Sequence, residues 1–180
     1  SIDVREGYVD AEARRLIGAR IVLDFPSVGA TENVMMAAST AEGTTTIENA
    51  AREPEITDLA NLMNAMGAKI HHAGSGTITI EGVKHLHGAE HAPIPDRVEA
   101  ATYLILSVLT GGRLAVTGAD RAHLHALEAA LQRAGGVITE RNGSLTASAA
   151  GILATDVATA PYPGFPTDMQ AQWMVLMCLA

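Results

Sequence analysis

The sequence predicts an α/β (α+β) fold built from a duplicated unit, and three observations carry that prediction. An apolar residue, a proline and a helix-capping residue type recur in that order at Phe25-Pro26-Ser27, Ile94-Pro95-Asp96 and Phe165-Pro166-Thr167, the prolines standing 69 and 71 positions apart. The segment AEGTTTIENA (41–50) matches TGGRLAVTGA (110–119) at an offset of 69, and MGAKI matches GGVI at 68, allowing one deletion. A helical pattern follows each proline and gives way to β-rich segments. Equal spacing with the same order of elements is the mark of a repeat.

The first unit begins with a strand, ARIVLDF. A helix is predicted over about 30–41, with Val34, Met35, Ala38 and Ala41 on one face and Gly43 as its end. TTTIENA, rich in threonine and isoleucine, reads as a strand. A second helix starts near Glu55, where Ile56, Leu59, Leu62, Met63 and Met66 form an amphipathic stripe, and Gly67 stops it. AKIHH, a Gly-Ser-Gly turn and TITIEGV complete a hairpin, Ile78 and Ile80 alternating with Thr77 and Thr79. The unit is thus βαβαββ over about 21–91. The second runs over about 92–150, with Leu124, Leu127 and Leu131 on its second helix, and a third starts at VATAPYPGFPTDMQ and is truncated. The polar stretch KHLHGAEHAPIPD, with two prolines, is the predicted boundary, giving domains of 1–91 and 92–180. The chain has no initiator Met and QWMVLMCLA stops inside an apolar helical run, so the expectation is a fragment of a longer protein.

Composition narrows the function classes. Hydrophobic residues make up 48% but aromatics only 3%, so the core is aliphatic. The net charge of −8 argues against nucleic acid and anionic membrane as partners, since both need a basic face. No apolar run reaches the length of a membrane span. A single cysteine, Cys178, excludes an internal disulfide and fits a reducing cytoplasm. It lies in an apolar run and is expected in the core. His85, His87, His91, His123 and His125 have no accompanying carboxylate or thiolate cluster, so no metal and no cofactor is expected.

The capping positions carry the remaining chemistry. A helix start has unpaired N–H groups and partial positive charge. Ser27, Asp96 and Thr167 satisfy such donors as ordinary caps. The same geometry holds phosphate where a glycine allows close approach, and SVGAT (27–31) supplies Gly29 between hydroxyl residues. Asp168 follows Thr167, which already reads as the cap. It is either a first-turn carboxylate favoured by the helix dipole, worth roughly 0.3–1 kcal/mol, or a base for a ligand at the helix start. Arg52, Glu53 and Glu55 read as a capping turn with proline in the first helical turn.

LDFPSVGATENVMMAA, TIENAAREPEI, MGAKI, IPDRVEAATYL and FPTDMQAQ closely resemble the UDP-N-acetylglucosamine 1-carboxyvinyltransferase family of enolpyruvyl transferases, across nearly the whole chain. The resemblance implies two domains of three βαβαββ units each, arranged as an inside-out α/β barrel with helix starts facing a cleft. It implies transfer of the enolpyruvyl group of phosphoenolpyruvate to the sugar 3-hydroxyl of UDP-N-acetylglucosamine, by addition and then elimination of phosphate, at the opening of peptidoglycan synthesis. By the same resemblance, Asp168 is the catalytic base at that hydroxyl, Thr167 is a neighbouring sugar contact, and Phe25, Pro26, Ser27, Val28 and Gly29 form the loop on the uridine diphosphate. Some members have a lysine where Phe25 stands, and Ala101 replaces a common glycine in a role expected to be structural. The family's catalytic loop and phosphoenolpyruvate contacts lie outside these residues, so the chain alone is expected to be inactive, and its cut faces are expected to self-associate. The alternatives are 3-phosphoshikimate 1-carboxyvinyltransferase, with the same chemistry, and a non-enzymatic repeat module.

Overall fold

A computed structural model describes residues 1–180 and divides them into two compact units, Ser1–Ala92 and Pro93–Ala180. The first opens with a hairpin, β1 (Ile2–Arg5) and β2 (Tyr8–Ala11), followed by β3 (Arg20–Val22), α1 (Val28–Ala38), β4 (Thr44–Glu48), α2 (Pro54–Ala65), β5 (Lys69–His71) and β6 (Thr77–Glu81). The sheet order is β3-β4-β6-β5, with β3 parallel to β4 and the other pairs antiparallel. The order from β3 to β6 is the predicted βαβαββ. Register places Ile47 opposite Ile78 and Ile70 opposite Ile80, so the alternating isoleucines share one face. All four are buried, and Met35, Ala38, Ile56, Ala60 and Met63 of the two helices close over them.

The second unit holds α3 (Arg97–Thr110), β7 (Val116–Thr117), a 3-10 turn (Arg121–Leu124), α4 (His125–Arg133), β8 (Gly136–Arg141), β9 (Ser144–Ala149), a second 3-10 turn (Thr167–Met169) and α5 (Gln170–Met177). The sheet order β7-β9-β8 repeats β4-β6-β5. Leu104, Leu127, Leu131, Ile138 and Leu145 form its core with Trp173 and Leu176. The repeat is not complete, however. Nothing in unit two corresponds to β3, because the matching residues lie in the polar linker, which forms no strand.

Three further differences from the sequence reading have local causes. The first helix spans Val28–Ala38 rather than 30–41 and stops well before Gly43. The Ser39 hydroxyl donates to the Met35 carbonyl at 2.8 Å, competing with the backbone for helix continuation. The last helix is buried on one side only: Trp173 and Leu176 face the core, whereas Met174 and Val175, and Leu179 just beyond the helix, are exposed. Cys178 is exposed, not in the core, because it falls at the helix C-cap on the outward side. Ala101, by contrast, is fully buried on α3. No helix is long and apolar enough to cross a membrane.

Leu127, with no exposed surface, sits at the centre of the second core. Leu127→Ala is expected to cost about 2–5 kcal/mol, the range for a cavity that relaxes incompletely. Leu153→Ala, at a 62% exposed position, should stay within about 0.5 kcal/mol. Denaturant unfolding of both variants checks the contrast.

Candidate active site

The predicted site residues fall into two groups, one in each unit. Phe25, Pro26 and Ser27 lie between β3 and α1, and Val28 and Gly29 are the first two residues of α1. Phe25 is 61% exposed, Pro26, Ser27 and Val28 are half-buried, and Gly29 is exposed. Ser27 has extended backbone and caps α1, its Oγ accepting from the Ala30 N–H at 3.3 Å. Its carbonyl accepts from both the Thr31 N–H and the Thr31 hydroxyl, at 3.0 and 2.8 Å. The Thr31 hydroxyl in turn accepts from the Ala51 N–H at 3.0 Å. This buried side chain therefore fixes the start of α1 to the loop before α2. In the sequence, Thr31 stands out only as a hydroxyl near Gly29. A threonine in a first helical turn carries no signal of a partner twenty residues away.

Gly29 is not a glycine that the fold requires. A Cβ built there would meet nothing within 4 Å, and its backbone is not left-handed. Neither space nor conformation requires glycine at this position, and alanine would suit a helix better. By contrast, a Cβ at Gly82 would come within 1.7 Å of the Ala41 carbonyl oxygen, so the fold itself demands that glycine. The Gly29 position leaves the helix start uncovered, and its N–H belongs to the turn whose donors lack intrahelical partners.

Three carboxylates shape the field near this start. Burial pushes the Glu32 carboxyl above its ordinary value, and repulsion from Glu55 and Glu53 adds to the effect. Glu53, at the cap position of α2, is buried. The expected capping role of this turn holds in part: Pro54 occupies the first turn of α2, but no side chain caps it.

Thr167 and Asp168 lie in the second unit, both exposed, in the 3-10 turn ahead of α5. Thr167 is not the helix cap. Pro166 takes that place, its carbonyl accepting from the Met169 N–H at 3.2 Å, and no side-chain cap bond forms. The tighter turn places Thr167 inside it, its carbonyl accepting from the Gln170 N–H. Asp168 is presented outward because its neighbours are anchored. Phe165 and Met169 are buried, and the Phe165 ring packs edge-on against Trp173 with centroids 5.6 Å apart. Asp96 does cap α3, one oxygen accepting from Val98 and Glu99 N–H at 2.8 and 3.0 Å. Behind it the Arg97 guanidinium lies 5.7 Å from the Tyr162 ring centroid. A depression of about 340 Å³ beside this helix start is lined by Asp96, Glu99, Tyr103 and Thr117. Another, of about 710 Å³, follows α5 past Trp173 and Cys178 and includes neither Thr167 nor Asp168.

The histidines are dispersed. His91 Nε2 lies 2.9 Å from Asp58, and His123 lies 3.6 Å from Asp120. No group of three or more His, Cys, Asp and Glu side chains gathers at one point.

With this geometry in place, comparison with known proteins identifies the class. The family described as EPSP synthase (3-phosphoshikimate 1-carboxyvinyltransferase) matches residues 1–179, and the chain belongs to that family of enolpyruvyl transferases. Among curated proteins, it is 56% identical over 181 residues to UDP-N-acetylglucosamine 1-carboxyvinyltransferase of Granulibacter bethesdensis, covering 99% of this chain and 43% of the relative. It is 53% identical to UDP-N-acetylglucosamine 1-carboxyvinyltransferase 1 of Caldanaerobacter subterraneus, with the same coverage. The chain thus spans less than half the length of these relatives. Among solved structures, the enolpyruvyl transferase NikO from Streptomyces tendae superposes with a TM-score of 0.84 at 27% identity, over 100% of this chain and 46% of that one. EPSP synthase from Acinetobacter baumannii, at 19% identity, shares the fold with a TM-score of 0.53 over 77% of this chain and 32% of its own.

The raised Glu32 carboxyl gives a pH-dependent prediction. The folded state holds this proton more tightly than the unfolded state, so ionisation at neutral pH opposes folding and stability from this group falls as pH rises through the raised value. Glu32→Gln should therefore raise the melting temperature at pH 7. The gain should shrink at pH 4, where the carboxyl is largely protonated in the folded state. Melting curves at both values check the sign.

Proposed function

We propose that the full-length protein transfers the enolpyruvyl group of phosphoenolpyruvate to the 3-hydroxyl of UDP-N-acetylglucosamine, releasing phosphate. The observation that carries this reading is the 56% and 53% identity to two UDP-N-acetylglucosamine 1-carboxyvinyltransferases across 99% of the chain. The reaction opens peptidoglycan synthesis, which places the protein in cell-wall biogenesis, cell shape and division, in the cytoplasm. The two units are the end of one barrel domain and the start of the next. In isolation the chain is inactive in this reading, because the family's acid loop and phosphoenolpyruvate contacts are not among its residues. Its exposed Met174, Val175 and Leu179 are the surface through which the isolated chain would self-associate.

In the proposed division of roles, the start of α1 holds the diphosphate and Asp168 handles the sugar hydroxyl. The uncovered N–H groups around Val28 and Gly29 meet phosphate oxygens with the positive end of the helix dipole behind them. Asp168 takes the hydroxyl proton as that oxygen bonds to the enol carbon. Phosphate then leaves from the same carbon, and the methylene group that gained a proton in the addition loses one. Exposure of Asp168 supports this role, since a base must reach its substrate before its pKa matters. The shikimate alternative is less favoured because the curated relatives at 56% and 53% identity are UDP-N-acetylglucosamine 1-carboxyvinyltransferases. Phosphate release by the full-length protein with UDP-N-acetylglucosamine, and none with shikimate 3-phosphate, is the expected result. The reverse preference would reject the proposal.

Two variants of the full-length protein separate the roles. Asp168→Asn should keep the fold and largely keep substrate binding while turnover falls by on the order of 10²–10⁴. Unchanged turnover with a small loss of stability would leave only a dipole-favoured carboxylate. Gly29→Ala should leave the melting temperature unchanged or higher, because the added methyl meets nothing and alanine favours the helix. Its KM for the UDP-sugar should rise, because the methyl sits where the diphosphate approaches.

A further inference from the structure

The segment after β6 is held to the first unit at successive points. The Val83 N–H donates to the Ser39 carbonyl at 2.8 Å, and Leu86 packs on the core. The His87 N–H donates to the Met66 carbonyl at 2.9 Å. Gly88, Ala89 and Glu90 are then exposed. The last hold is His91, whose Nε2 donates to Asp58 Oδ1 at 2.9 Å, with the two side chains only 20% and 17% exposed. Asp58 lies on α2, so this contact joins the end of the segment to a helix anchored in the core. Beyond it, Ala92, Pro93 and Pro95 are exposed and Ile94 is half-buried, until Asp96 caps α3. The two prolines fix their own φ and keep Ala92 and Ile94 out of the helical region.

We infer that the His91–Asp58 pair is a clasp that sets how much chain is free between the two units. With the clasp closed, the free connector is Ala92–Pro95, short and stiffened by alternate prolines. With it open, the connector extends back to Gly88 and gains four non-proline residues, one of them glycine. The clasp thereby sets the length and stiffness of the connector through residues of the first unit alone. This inference does not depend on the reaction proposed above.

A glutamate-specific protease tests it in the full-length protein, because Glu90 lies directly before His91. Cleavage after Glu90 needs the segment to leave the surface, so its rate reports the open population. Asp58→Asn and His91→Gln should each speed cleavage there by about five- to tenfold, the scale of one net hydrogen bond. The double variant should be no faster than either single one. Glu48, at the end of the internal strand β4 and followed by Asn49, serves as an internal control for wider unfolding. Faster cleavage at Glu90 with Glu48 unchanged supports the clasp. Equal acceleration at both sites, additive single effects, or wild-type rates in the variants would overturn it.

Discussion

The Thr31 hydroxyl is the constraint on which the first unit's candidate site depends. It donates to the Ser27 carbonyl and accepts from the Ala51 N–H, and it does so with no exposure to water. A helix start is ordinarily the least ordered part of a helix, since its first donors lack partners. Here one buried side chain ties that start to the loop preceding α2. The Ser27–Gly29 backbone can then present donors outward in a fixed direction. Loss of this hydroxyl would leave a buried N–H unsatisfied, which costs about 1–3 kcal/mol, and would also release the loop.

Duplication explains why candidate sites fall at helix starts in both units. Each unit buries isoleucines or leucines between a small sheet and two helices, and each begins its first helix after a proline. The capping chemistry then diverges. Ser27 caps weakly, at 3.3 Å, and Gly29 beside it is unencumbered. Asp96 caps α3 with two short bonds, so one of its oxygens is committed to the backbone. At the third start no side chain caps at all, and the 3-10 turn leaves Asp168 facing outward. The frame is shared, while its three starts differ in how much of their polarity the chain itself consumes.

Much of the frame was legible because it rests on periodicity. The Ile78–Ile80 alternation, the Ile56–Met63 stripe and the three leucines around Leu127 needed only residue spacing, and each contributes buried residues where expected. What stayed hidden depends on contacts distant in sequence or on local competition. Thr31 reaches Ala51, Ser39 stops α1 early, and Pro166 displaces Thr167 from the cap. Cys178 was misplaced for a related reason: a wholly apolar run at a helix end carries no pattern to say which side is covered. The candidate site was legible through resemblance rather than periodicity. Nothing in the spacing of Phe25–Gly29 separates a ligand loop from an ordinary cap.

Charge makes the proposed site harder to build than its motifs suggest. The chain carries a net charge of −8, so long-range attraction does not favour an anionic ligand. Glu32, one turn into α1, is already held above its ordinary carboxylate value by burial and by Glu55 and Glu53. A diphosphate arriving at the same helix start would meet this acidic surrounding at short range. Phe25 supplies no cationic side chain there. The backbone N–H groups of the helix start attract an anion, but their partial charges act over the first turn only. That short range gives a physical reason for an otherwise unneeded glycine at position 29. When the donors are few and short-ranged, the ligand must come close, and a side chain at that point would hold it off.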